Sequence, residues 1–254
     1  MTTHTVKPDF SQYGFAHQEN LIMAFIEEPR RNGAKVGMTA YIDWSGLYIP
    51  SPSQVLGIDV DTGFVFPEGA VLRKDVHVCL FTLGQWAKLA AKGHFPALYF
   101  LFAPLKFTSE TWNLISSRPQ LFLAKKHVAS YLEFPDEDMM KRLLWRMGPK
   151  KVHRTPVEER LGYDTEFAVN MIRLYGEAME LMEKGYITFP RPENEELVAI
   201  GNGKYSLSEF KELFLQLRSD ALAAQAISPL PDAVDRHAIS ELLAEAHLNS
   251  WRKP

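Results

Sequence analysis

The spacing of apolar positions changes character roughly halfway along the chain. Leu21 to Ile26 is apolar at nearly every position, a run suited to a buried strand. Tyr41 to Ile49 is a second strand candidate, rich in aromatics and interrupted by Ser45-Gly46, which reads as a bulge. Asp59, Asp61 and Gly63 in GIDVDTG mark an exposed turn. Val76 to Phe81 predicts a third strand, after which Thr82 can cap a helix carrying Trp86, Leu89 and Ala90 and ending near Gly93. Leu98 to Phe102 is apolar almost throughout and belongs in a core.

From about Phe107 onward the pattern is helical. Asp164 to Lys184 is the clearest helix, with Asp164 at its start and Gly185 just past its end. Phe167, Met171, Ile172, Tyr175, Met179 and Met182 form one apolar stripe along it. Pro190-Arg191-Pro192 enforces an extended connection. Ser206 with Glu209 makes a capping box for a helix striped by Phe210, Leu213, Phe214 and Leu217. Pro229-Leu230-Pro231 breaks the chain before a last helix carrying Ile239, Leu242 and Leu243. The pattern predicts a small α/β unit over residues 1–110 and a helical unit over 111–254, an α+β fold.

Composition narrows the classes of function. A chain of 254 residues with 46% hydrophobic and 23% charged positions can bury a substantial core. The net charge of −3 argues against a protein that binds polyanions over its whole surface. No stretch approaches the roughly 18 consecutive apolar residues of a membrane span. The N-terminal residues lack a basic start followed by an apolar core, so they do not read as a signal peptide. Cys79 is the one cysteine, set in the apolar run VHVCLF, and reads as a buried small hydrophobe. A cytoplasmic protein is the simplest expectation.

Three segments in order resemble the predicted nucleotidyltransferases of the DNA polymerase beta superfamily, the group that includes RNA-repair-associated members. The first is IEEPRRNGAKVGMTAYIDWSGLYIP, Ile26 to Pro50, similar to the family's Gly-Ser turn and the Asp-x-Asp strand after it. The second is Asp75 to Pro104, similar to the third-carboxylate strand, its helix and a Leu-Phe-Ala-Pro ending. The third is Gly162 to Phe210, similar to the family's Tyr-Asp-Thr-Lys helix with its Ile-Arg-Leu continuation and Pro-Arg-Pro exit; the SPLPDAVDR run, Ser228 to Arg236, also fits. The resemblance covers most of residues 20 to 245. It implies a polymerase-beta-like nucleotidyltransferase α/β domain followed by a helical domain. It also implies nucleotidyl transfer from an NTP, with Mg²⁺, to an RNA end or a protein hydroxyl.

In that chemistry a Gly-Ser turn lets backbone amides approach the triphosphate. Two carboxylates two apart on a strand point to one face, and a third from a neighbouring strand completes a cage for two metal ions. Carried over, the resemblance makes Asp43 the second metal carboxylate and the one catalytic candidate. Tyr41 stands in place of the first, and His77 falls where the third is expected. The turn reads Glu28-Pro29, while Gly33 matches a later glycine. Glu166 and Asn170 stand where the family has Lys and His.

Two readings of the site follow from the residues. Asp43, Asp75 and His77 could hold a single divalent ion, since Asp75 and His77 share a strand face. Otherwise Asp43 is an edge residue and His77 a satisfied strand histidine. Arg30, Arg31 and Lys35 could grip a phosphate or an RNA backbone beside Gly33, or form a solvated cationic loop. The basic group Lys150, Lys151, His153 and Arg154 lacks interleaved aromatics. Trp44, Tyr48 and Trp86 read as core. The coincident departures favour a catalytically inactive module that recognises a nucleotide, an RNA or a protein partner over an active transferase.

Overall fold

The computed structural model describes residues 6–27, 42–58, 64–65, 76–136, 139–145 and 154–252. The fold is mixed α/β, with one five-stranded sheet among the described residues. The described residues within Met1–Glu28, Thr39–Phe122 and Val234–Pro254 form one compact unit, and those within Leu123–Ala233 form another.

In the sheet unit, β1 (Leu21–Glu27) runs antiparallel to β2 (Ile42–Tyr48). A short helix, α1 (Pro52–Leu56), follows, opened by a capping box between Ser51 and Gln54. The edge strand β3 (Phe64–Val65) pairs antiparallel with β4 (Val76–Thr82), which lies parallel to β2. Next come α2 (Leu83–Ala90), α3 (Phe95–Tyr99), β5 (Phe107–Thr108) and α4 (Glu110–Ser116). The strand order is β3-β4-β2-β1-β5.

Alternation along β4 shows how the sheet is built. Val76, Val78 and Leu80 are buried on one face, where Phe10 and Phe15 from the N-terminal segment join Tyr48 in the same core. On the other face Phe25 and Phe81 meet Phe100, with ring centroids 4.9 and 6.0 Å apart. Thr82 ends β4 and caps α2 by accepting a hydrogen bond from the Gln85 amide, as the sequence predicts. Trp86 is buried and donates its indole N–H to the Ala97 carbonyl at 2.8 Å.

Two expectations for this unit are corrected. The chain is not helical from Phe107, because Phe107 and Thr108 pair with Ala24 and Met23 as the outer strand β5. Ser45-Gly46 is not a bulge either. Both residues lie in regular register opposite Phe25 and Ala24, and the irregularity falls between Leu21 and Met23 on β1. Gly46 is required for a different reason: a Cβ there would stand 2.7 Å from the Met23 carbonyl oxygen.

The helical unit holds α5 (Lys125–Asp136), α6 (Met139–Trp145), α7 (Pro156–Leu161), α8 (Thr165–Lys184), α9 (Asn194–Gly201) and α10 (Leu207–Ile227). α8 is its centre. Asp164 caps it through the Phe167 amide, and Gly185 ends it at φ 75°, a left-handed conformation that glycine adopts without steric cost. Of the predicted stripe, Met171, Ile172, Tyr175 and Met182 are buried, and Tyr175 packs edge-on against Phe214 of α10 at 5.2 Å.

The last helix, α11 (Arg236–Trp251), belongs with the sheet unit and not with the helices that precede it. Its Ile239, Leu242 and Ala246 are buried, and Trp251 donates to the Pro50 carbonyl at 2.9 Å. α4 joins the same unit, with Trp112 and Ile115 buried. The division therefore differs from a single break near residue 110, since both ends of the predicted helical segment complete the core around the sheet.

Candidate functional site

Parallel pairing of β2 and β4 places Asp43 directly opposite His77. Both lie near the first residues of their strands, on the face they share with Ser45 and Cys79. Asp43 is in turn registered with Glu27 at the end of β1, so these three backbone positions form a row across the sheet. His77 Nδ1 and Asp43 Oδ1 are 3.0 Å apart, a geometry in which Nδ1–H donates to the carboxylate. The side chains are 65% and 46% exposed, so solvent reaches the pair.

Asp75, Arg30, Arg31, Gly33 and Lys35 lie outside the described residues, as do Glu28, Pro29, Tyr41, Asp59 and Asp61. Lys150, Lys151 and His153 are likewise outside them. Glu166 and Asn170 are half-buried on α8 in the helical unit. Among the described residues no group of three His, Cys, Asp or Glu side chains is placed to hold a metal ion. Cys79 is half-buried, which corrects the expectation of a fully buried small hydrophobe.

The Asp43–His77 donor set does not fit Mg²⁺. That ion takes oxygen ligands in near-ideal octahedral geometry, whereas this pair offers one carboxylate and one imidazole, and the imidazole is already directed at the carboxylate. Mixed nitrogen and oxygen ligation of this kind suits a transition ion better.

The aromatics fall where the sequence places them. Trp44 packs edge-on against Phe10 at 5.4 Å, and Tyr48 against Phe15 at 5.0 Å. Tyr48 and Trp86 are buried, and Trp44 is partly buried against the core.

A second constellation, in the helical unit, lies outside the sequence candidates. Arg191, in the Pro-Arg-Pro connection, is only 4% exposed. Its Nη1 donates to Glu180 at 2.6 Å, while Nε and Nη2 donate to the two oxygens of Glu193 at 3.0 and 3.1 Å. Glu180 also accepts from the Thr188 amide at 2.9 Å. Burial opposes ionisation of Glu180, but the Thr188 hydrogen bonds and Arg191 outweigh it and bring its pKa down to about 2. Burial likewise opposes the Arg191 charge, and Glu193 with Glu180 reverses that and raises its pKa. Nearby, Arg173 is buried against Glu177 on α8.

Two sequence signals could have revealed this cluster. Gly176 sits inside a long helix, where glycine is unfavourable, and Arg191 lies between two prolines. A Cβ at Gly176 would meet a Glu193 carboxylate oxygen at 2.5 Å, so glycine lets the Arg191–Glu193 pair close against α8.

Comparison with known protein families, characterised proteins and solved structures finds no match for this chain.

Proposed function

We propose that this chain is a nucleotidyltransferase-fold module that binds a nucleotide without transferring it. The reading rests on the resemblance carried by Ile26 to Pro50, Asp75 to Pro104 and Gly162 to Phe210, together with one observation. Asp43, the matched metal carboxylate, has an imidazole 3.0 Å away at the position where the family places another carboxylate. Two carboxylates at that spacing repel and favour a bridging cation, whereas a carboxylate and an imidazole satisfy each other. The pair thus lowers the demand for the metal ions that in-line phosphoryl transfer uses to stabilise the attacking and leaving oxygens. Tyr41, in place of the first carboxylate, removes a further ligand.

The test is incubation of the protein with labelled ATP, GTP, CTP or UTP, Mg²⁺ or Mn²⁺, and a mixture of RNA and candidate acceptor proteins. The expected result is no label transfer, with a rise in melting temperature on adding an NTP. Label transfer that disappears in Asp43→Ala would establish the active transferase instead. No transfer and no thermal shift with any NTP would remove the nucleotide from the reading.

A further inference from the structure

Helices α8, α9 and α10 leave a solvent-open cavity of about 340 Å³ between them, near the lower end of the roughly 300–1,000 Å³ typical of small-molecule pockets. Its walls are apolar: Ile172 and Met179 from α8 face Leu213 and Leu217 from α10. The stripe that predicts α10 explains why the space exists. Phe210 and Phe214 are fully buried in the unit, whereas Leu213 and Leu217 on the same stripe stay partly open and line the cavity. The floor is the Arg191–Glu193 pair, which Gly176 allows to sit flush against α8.

The charges around this cavity select the sign of its occupant. Four carboxylates line it, Glu180, Glu183, Glu193 and Glu196, against two cations, Lys184 and Arg191. Arg191 directs its hydrogen bonds to Glu193 and Glu180, and Lys184 reaches Glu180 at 3.3 Å. Glu196 is held by Lys204 at 2.7 Å and by the Tyr205 hydroxyl. Glu183 remains, an exposed residue that lines the cavity with no ion pair among the described residues. Among the described lining residues carboxylates outnumber cations, and both cations already contact a carboxylate.

We propose that this cavity binds a small amphipathic cation, a primary amine on an apolar body. The body would lie between Met179 and the Leu213–Leu217 wall, removing half-exposed apolar surface from water. The ammonium would meet Glu183 at the mouth, where one charge-assisted hydrogen bond supplies orientation. The inference is independent of the nucleotide reading, since it uses only the helical unit.

The probe is 4-phenylbutylamine, compared with its neutral analogue 4-phenylbutanol, titrated calorimetrically into the full chain at low ionic strength. The amine is expected to bind about two- to fivefold more tightly than the alcohol, the size of one ammonium–carboxylate contact at an exposed position. Glu183→Gln, at an exposed position, should abolish that preference while leaving the melting temperature unchanged. Leu217→Trp, which fills the cavity, should remove binding of both probes; Leu213→Phe replaces it if circular dichroism shows that the tryptophan variant is unfolded. The proposal is overturned by no heat from the amine up to about 10 mM, by equal affinity for amine and alcohol, or by an amine preference that survives Glu183→Gln. Unchanged affinity in a folded cavity-filling variant would place binding elsewhere and overturn it equally.

Discussion

Asp43 and His77 face each other at 3.0 Å from registered positions on the parallel strands β2 and β4. Because water reaches both side chains, the pair contributes little to folding: exposed ion pairs are worth about 0–1 kcal/mol. In a double-mutant cycle with Asp43→Asn and His77→Ala, followed by urea unfolding, the coupling energy should stay below about 1 kcal/mol. A coupling several times larger would mean that the pair holds the sheet together, and a structural role would then account for both residues.

Gly46 lies in the middle of β2, opposite Ala24. A Cβ at Gly46 would stand 2.7 Å from the Met23 carbonyl oxygen and 3.0 Å from Leu80 Cδ2. The first neighbour is backbone and cannot rotate away. Gly46→Ala should therefore cost about 1–3 kcal/mol, the range for overpacking a filled core. An unchanged urea midpoint would show that β1 can shift away at no cost.

Glu180 gives the helical unit a specific acid sensitivity. Its folded pKa, about 2, lies below the ordinary 4.5 of a glutamate, so the folded protein holds this proton less tightly than the unfolded chain. Stability from this group is fully present above pH about 4.5 and is lost as pH falls towards about 2. The shift corresponds to about 3 kcal/mol. Urea midpoints collected across that window for wild type and Glu180→Gln should converge as the pH falls. Parallel curves would show that Glu180 is no more acidic when folded than when unfolded.

Tyr163 provides the alkaline counterpart. It is fully buried, donates its hydroxyl to the Tyr205 carbonyl at 3.0 Å and stacks on Phe210. Burial, with the Glu209 charge adding to it, pushes its pKa up to about 12 from the ordinary 10. Here the raised value means that stability is complete below pH about 10 and is lost as pH rises through about 12. Ultraviolet titration should show a late-ionising component that falls by one phenol in Tyr163→Phe. A late component of unchanged size in the variant would assign it to other tyrosines.

Local chemistry accounts for what was legible in advance. The strands at Leu21, Ile42 and Val76, the Thr82 and Asp164 caps, the Ser206–Glu209 box and the Gly185 stop each depend on residues a few positions apart. β5 is invisible in the sequence pattern because two residues carry no period. They become a strand only when Ala24 and Met23 supply the partner. The sequence places α11 in the helical unit because its apolar stripe says that one face is buried, but not against what.

The sequence by itself determined the type of most elements and the caps that bound them. Hydrogen bonding within a turn and the period of apolar positions are short-range, and a single chain displays them. Only the tertiary structure decided that His77 lies against Asp43, that Gly46 clears a carbonyl, and that Arg191 is buried between Glu180 and Glu193. It alone opened the cavity beside Leu213 and Leu217. Asp43 and His77 are separated by more than thirty residues, and Glu180 and Arg191 by eleven. What they do to each other's charge depends on distance and solvent access, which appear only once the chain has closed on itself.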